Sequence, residues 1–265
     1  MSILKNKKKG HDYLAAVHTD AGIKKKTNQD AVLVKAADTD CGRVLLAVVC
    51  DGMGGLTKGE VASAALTKAF SKWFEERLPV LLMQGFQDKM LQADWEQLIS
   101  DMNARISDYG TEHRISLGTT LAGLLLVGSR YFIVNIGDSR VYQITDRIVQ
   151  LTKDQSYIQR EMDLGHMTYE EAMKDPLRNV LLQCVGASSM IVPDYYTGGF
   201  EKNTVFLLCS DGFRHRVTPD ELYQCLNPHV LQTEERMSEQ AEYLTELSKY
   251  RKETDNISAA LIKVC

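Results

Sequence analysis

Aspartates at the ends of five apolar runs constrain this chain more than any other feature. Asp30 precedes Ala31–Lys35, Asp51 ends Val44–Cys50, Asp138 follows Tyr131–Gly137, Asp211 follows Val205–Ser210 and Asp255 precedes Ile257–Val264. Short apolar runs of this kind read as buried strands. The fold must therefore carry these carboxylates at strand tips. A lone Asp at a strand end is an ordinary turn former. Five of them, several followed by Gly, Ser or Asn, ask for more, because carboxylates that converge repel one another strongly unless a cation lies among them.

The remaining periodicity alternates between strand and helix. Ala31–Lys35 and Arg43–Cys50 read as strands, and Thr57–Arg77 as a helix whose rows are Val61, Ala65, Ala69, Trp73 and Ala62, Leu66, Phe70, Phe74. Thr57 and Glu60 form a capping box, and Pro79 marks the end of that run. Asp88 to Tyr109 gives a second helix with Leu91, Trp95, Leu98, Met102 and Ile106 as its stripe. Thr119–Val127, Arg130–Asn135, Ser139–Thr145 and Ile148–Leu151 read as an antiparallel meander, turned at Gly128-Ser129 and Asp146-Arg147. A polar helix is expected over Gln155–Lys174, strands over Val180–Val185 and Thr204–Cys209, a capped helix at Thr218-Pro219, a long helix over Glu234–Lys249 and a last strand over Ile257–Val264. Long helices bracketing antiparallel strands predict an α+β sandwich of helices layered on a pair of sheets. With no repeat, no low-complexity segment and no Pro/Gly/Ser-rich linker, the 265 residues read as one domain, 1–265.

Composition narrows the chemistry. A net charge of −4 is a poor footprint for a nucleic acid backbone. The longest apolar runs, Val44–Cys50 and Leu121–Val127, fall far short of the ~20 residues of a membrane span. The lysines near the N-terminus have no apolar stretch behind them and do not read as a secretory signal. None of the six cysteines forms a CxxC pair, so reduced thiols in a cytoplasmic protein are expected rather than a zinc site or a disulfide framework. Oxygen-only donors select hard cations such as Mg²⁺, Mn²⁺ or Ca²⁺. No Asp/Asn ladder of EF-hand spacing is present. The loop Asp51-Gly52-Met53-Gly54-Gly55 lets backbone approach an ion, and Gly52 can offer its carbonyl, but it is neither a GxGxxG fingerprint nor a P-loop. Carboxylates bridging two metals roughly 3.5–4 Å apart are a known way to hold a nucleophilic water against a phosphoester.

In order along the chain stand Thr27-Asn28-Gln29-Asp30, Val49-Cys50-Asp51-Gly52-Met53-Gly54-Gly55, Gly118-Thr119-Thr120, Asn135-Ile136-Gly137-Asp138-Ser139-Arg140, Leu151-Thr152-Lys153-Asp154-Gln155-Ser156, Cys209-Ser210-Asp211-Gly212-Phe213 and Asp255-Asn256-Ile257-Ser258. This ordered set resembles the PP2C-type (PPM) metal-dependent protein phosphatases, their bacterial branch in particular. The resemblance implies a four-layer αββα sandwich and hydrolysis of phosphoserine and phosphothreonine with two, or three, Mn²⁺ or Mg²⁺ ions. It implies that Asp51 bridges two metals with Gly52 adding its carbonyl, that Asp211 and Asp255 hold the other side, that Asp30 hydrogen-bonds metal waters, and that Asp138 with Asp211 takes a third ion. The catalytic set is then Asp30, Asp51 and Asp211. A water between the ions attacks phosphorus directly, with no phosphoenzyme. The segment of about 154–194 corresponds to the flap beside the active site. Phosphorylated proteins, including a bacterial Ser/Thr kinase, are the implied partners, and a cytoplasmic monomer is expected.

Two positions depart from the family pattern. Many relatives carry an Arg three residues before the motif Asn, gripping the phosphate; here it is Lys25, within Lys24-Lys25-Lys26. A lysine offers a point charge without the bidentate fork, and a solvated basic turn is the competing reading. Where some relatives have a His after Asp-Gly to protonate the leaving group, this chain has Met53. The six histidines form no constellation, and neither Cys184 nor Cys209 has the Arg of a C-x5-R phosphatase loop. A silent phosphoprotein-binding scaffold and a phosphohydrolase acting on a small metabolite are the rival functions.

Overall fold

The computed structural model describes residues 11–54 and 58–265. Its strands are β1 (Tyr13–Asp20), β2 (Ala31–Thr39), β3 (Gly42–Cys50), β4 (Gly52–Gly54), β5 (Leu117–Thr119), β6 (Leu121–Val127), β7 (Arg130–Ile136), β8 (Arg140–Ile144), β9 (Ile148–Gln150), β10 (Asp194–Gly199), β11 (Val205–Cys209) and β12 (Ile257–Val264). Its helices are α1 (Gly59–Glu76), α2 (Leu78–Met83), α3 (Asp88–His113), α4 (Tyr157–Asp163), α5 (Tyr169–Ala172), α6 (Asp211–Arg214), α7 (Pro219–Leu226) and α8 (Glu234–Tyr250). The strands form antiparallel sheets in the orders β1-β12-β11-β8-β9 and β10-β7-β6-β3-β2, with β4 and β5 as a separate ribbon.

Side-chain alternation builds the layers. Along β3, Val44, Leu46, Val48 and Cys50 pack with Leu66, Phe70, Trp95 and Ile99 of α1 and α3. Leu45, Ala47 and Val49 point the other way and meet Phe206, Leu208, Ala260 and Ile262 of the opposite sheet. Along β12, Ile257, Ala259 and Leu261 face Leu222, Met237 and Leu244 of α7 and α8. A strand buried on both faces has no polar side to show, which is why β3 and β12 read as continuous apolar runs. The four-layer αββα expectation holds.

Several expected elements differ. The meander is cut at Gly137-Asp138: β6 and β7 belong to one sheet, β8 and β9 to the other. Thr119–Val127 is broken at Thr120, its first part pairing with β4 rather than β3. The helix expected over Gln155–Lys174 is two short helices, separated where Gly165 takes a φ of 72°. Val180–Val185 is not a strand. It makes single bridges, Leu181 to Ser156 and Val185 to Thr119, because it crosses from α4 to β5 instead of lying along a sheet edge. β1 and β10 lay outside the expected strands; their mixed polar composition reflects positions at the sheet edges. Helix α1 begins at Gly59, and the Thr57–Glu60 box falls partly outside the described residues. The Thr218 capping box with Pro219 is present.

Phe206 ties the sheets together, fully buried and edge-on to both Tyr131 and Phe200 at 5.7 Å between ring centres. Phe206→Ala should therefore destabilise the protein by about 3–5 kcal/mol, the usual range for an emptied aromatic core position. A lower urea midpoint with unchanged slope checks this.

Candidate active site

Antiparallel register brings the aspartates to one end of the sandwich. Ala31 pairs with Cys50, so Asp30 enters β2 beside Asp51 leaving β3. Cys209 pairs with both Ala259 and Arg140, so Asp211 leaves β11 where β12 begins after Asp255 and β8 begins after Asp138. The two sheets thus deliver Asp30 and Asp51 from one side and Asp211 and Asp255 from the other, with Asp138 on the crossover between the sheets. Asp211 does not end its strand; it opens α6.

Backbone contacts hold each carrier in place. The Asp51 N–H donates to Thr120 Oγ1 at 2.9 Å, and its carbonyl accepts from Thr119 Oγ1 at 3.0 Å and from the Thr120 N–H at 2.9 Å. Only glycine fits at 52, since a Cβ there would run into the carbonyl oxygens of Gln29 and Gly59. Asn256 clamps the lysine loop to β12: its Oδ1 accepts from the Gln29 N–H at 2.9 Å, and its Nδ2 donates to the carbonyls of Ala21 at 3.0 Å and Thr27 at 3.2 Å. Asn28 Oδ1 accepts from the Asp30 N–H at 3.1 Å. Ser210 donates to Asp30 Oδ2 at 2.9 Å.

Electrostatics report the crowding. Burial, with the charges of Asp211 and Asp255, pushes Asp30 up to about 7. Burial raises Asp51 well above the usual carboxylate range, and Asp30, Asp211, Asp138 and Asp255 all add to this. Asp138 and Asp211 are each pushed up to about 6, chiefly by burial. Asp30 Oδ1 and Asp211 Oδ1 are buried with no hydrogen-bond partner. Lys25 Nζ reaches Asp255 Oδ1 at 3.0 Å; burial opposes its charge, but Asp255, Asp51 and Asp211 outweigh that and raise its pKa. With the lysine among the acids, no trio of Asp, Glu, His or Cys groups among the described residues closes round a single point. The donor chemistry nonetheless suits a hard divalent cation: the groups are all oxygens, two of them buried and unpartnered, on carboxylates whose charge is disfavoured without one.

Sequence reasoning missed the basic half of the site. Arg140 grips Asp154 with Nε and Nη2, each at 2.7 Å. Arg214 lies buried beside Asp138. His215, which formed no constellation in the sequence, stands 3.7 Å from Asp211 and 3.8 Å from the buried Glu253, and burial with Arg214 pushes it down to about 4. The charged triplet Arg214-His215-Arg216 directly after the Asp211 motif was the available signal. A cavity of about 1130 Å³ opens from Asp211 and Asp255 toward Met173 and Arg178. Cys50 and Cys209 are fully buried, and burial pushes each thiol up to about 12, so neither can serve as a nucleophile.

A helix-flanked pair of antiparallel sheets with a carboxylate cleft at one end defines a sandwich whose donors suit hard divalent cations. Residues 19–253 match the family described as protein phosphatase 2C, and the chain belongs to that family. A curated relative, the serine/threonine phosphatase stp of Listeria monocytogenes, is 30% identical over 223 residues, 82% of this chain and 84% of the relative. The crystal structure of the serine/threonine phosphatase Stp1 from Staphylococcus aureus superposes with a TM-score of 0.82 at 28% identity, covering 97% of each chain. The catalytic domain of the phosphatase PstP in complex with two manganese ions gives a TM-score of 0.77 at 27% identity, covering 95% of this chain and 98% of that one. The chain is accordingly a serine/threonine protein phosphatase of PP2C type. Among the described residues, no helix is long and apolar enough to cross a membrane.

The raised carboxylates fix a pH dependence for the metal-stripped protein. A carboxylate whose folded pKa lies above its unfolded value stabilises the fold below the unfolded pKa, and that contribution is lost as pH rises through the folded pKa. Asp138 and Asp211 lose it toward about 6 and Asp30 toward about 7, outweighing the opposite slope of His215. The urea midpoint of EDTA-treated protein should fall between about pH 5 and pH 8, and Mn²⁺ should restore it at the upper end. A midpoint that rises over that window would contradict the crowding.

Proposed function

We propose that the cleft is the phosphatase centre, with Asp51, the Gly52 carbonyl, Asp211 and Asp255 holding two divalent cations, Mn²⁺ or Mg²⁺. The observation that carries this is the convergence of Asp30, Asp51, Asp211 and Asp255 from two sheets with unpartnered buried oxygens among them; the manganese pair of the PstP neighbour supports the choice of metal. When bound, such ions neutralise the carboxylates, lower the pKa of water and polarise the phosphoester. The chain's own residues do the positioning. Asp30, oriented by Ser210 and Asn28, is placed to accept a hydrogen bond from the attacking water. Lys25 brings a positive charge to the mouth of the cleft, where it attracts the substrate phosphate; Lys24 and Lys26 are exposed beside it. The water oxygen bonds to phosphorus as the bond to the serine or threonine oxygen breaks, and that oxygen leaves as the hydroxyl with the proton the water gives up. Residues 154–194 act as the flap, since Asp154, Ile158, Met173 and Arg178 line the cavity that opens from the acids. Phosphoproteins of the cytoplasm, a Ser/Thr kinase among them, are the substrates, a reading that the unpaired thiols support.

Asp51→Asn and Asp211→Asn should reduce hydrolysis of a phosphothreonine peptide and of p-nitrophenyl phosphate to background, as should excess EDTA. Each variant should be as stable as the metal-free parent or more so, since each removes a repelled charge, and each should lose the gain in stability on adding Mn²⁺. Wild-type turnover in either variant overturns the assignment.

Lys25→Ala should raise KM for the phosphopeptide roughly tenfold, the effect of about 1.5 kcal/mol from one charge-assisted hydrogen bond. It should also weaken inhibition by inorganic phosphate, and Lys25→Arg should restore both. Unchanged KM and phosphate inhibition in Lys25→Ala would return Lys25 to a solvated turn.

A further inference from the structure

Asp138 shares the acidic cleft, but its neighbours differ from those of Asp51 and Asp255. Arg214, at the end of α6, projects beneath it with its side chain only 9% exposed. Arg214 Nη2 donates to the Asp138 carbonyl at 2.9 Å and lies 3.5 Å from Asp138 Oδ2 and 3.4 Å from Asp154 Oδ2. Asp154 already has its own partner, since both its oxygens receive Arg140 at 2.7 Å. The four side chains are two carboxylates and two guanidiniums, and Arg214 is the cation paired with Asp138, on which the Asp211 carboxylate also acts.

We propose that the Arg214 guanidinium is the resident cation beside Asp138, so that this chain's centre takes two divalent ions and not three. The proposal rests on the two-cation reading above and departs from the expectation that Asp138 with Asp211 binds a metal. A guanidinium does not deprotonate in a protein, so its charge cannot be switched off to admit an ion. A divalent cation at Asp138 would face that charge across a few ångströms, a range at which like charges repel. The local sequence produces the arrangement: α6 is a single turn that opens at Asp211, and Arg214 comes three residues on, so the residue that leads into the metal cleft also delivers its neighbouring cation. Loss of Arg214 would leave Asp138 buried without its compensating charge, a state that favours cation capture.

The test is a count of bound ions rather than a rate. Metal-stripped protein is titrated with Mn²⁺ by calorimetry, and retained metal is measured by elemental analysis. R214M should gain one Mn²⁺ site over the wild type. The site should disappear again in R214M/D138N, and R214K, which keeps a cation, should not gain it. D138N alone should leave the wild-type number unchanged. An R214M variant with the wild-type number of sites, or a wild type that loses one on D138N, overturns the proposal. Should R214M not fold, R214Q takes its place with the same expected gain, and loss of a site in D138N still overturns the proposal. The two-cation reading is judged separately, by the wild-type total and by its loss in D51N, whereas Arg214 is judged only by differences between variants.

Discussion

The mutual repulsion of carboxylates gathered at one end of two sheets shapes the rest of this molecule. Asp30, Asp51, Asp138 and Asp211 all hold protons more tightly than free aspartate because they are buried near one another. Such a cluster costs folding energy unless cations answer it. The protein supplies some of that charge itself, through Lys25 on Asp255 and the arginines beside Asp138 and Asp154, while Asp30 Oδ1 and Asp211 Oδ1 have no protein partner.

Holding repelling groups together needs a rigid frame, and the sandwich provides it. Three buried clusters, one between the sheets and one under each helical layer, pin the strands whose tips carry the acids. The connections at the tips are stiffened by hydrogen bonds rather than apolar contact. Thr119 and Thr120 fasten Asp51, Asn256 fastens the lysine loop, and Thr120 meets Ser139 at 2.7 Å across the turn that bears Asp138. These residues hold the carriers of function in place, which accounts for their presence in the motifs beside the aspartates.

The basic and acidic halves of the site divide the chemistry. The half toward Asp30, Asp51 and Asp255 holds the buried, unpartnered Asp30 Oδ1 and the Lys25–Asp255 pair. Behind Asp138, Arg140 holds Asp154 and Arg214 donates to the Asp138 carbonyl, while burial and Asp211 still keep the Asp138 carboxyl above the usual range.

Much of this was legible in the chain itself. Period-2 and period-3.6 patterns identified the buried strands β3, β6, β11 and β12 and the helices α1, α3 and α8, because those elements bury whole faces and must write that burial into composition. The aspartates stood out because their places at strand ends are local. Edge strands such as β1 and β10 bury too little to leave a clear period, and the apolar run 180–185 read as a strand although it makes only single bridges. Which sheet each half of the apparent meander would join, and the placing of Arg214 and His215 against Asp138, Asp211 and Glu253, depended on contacts between residues far apart in sequence. Local pattern records what each residue must avoid or bury; only the packed sheets determine which charge ends up beside which.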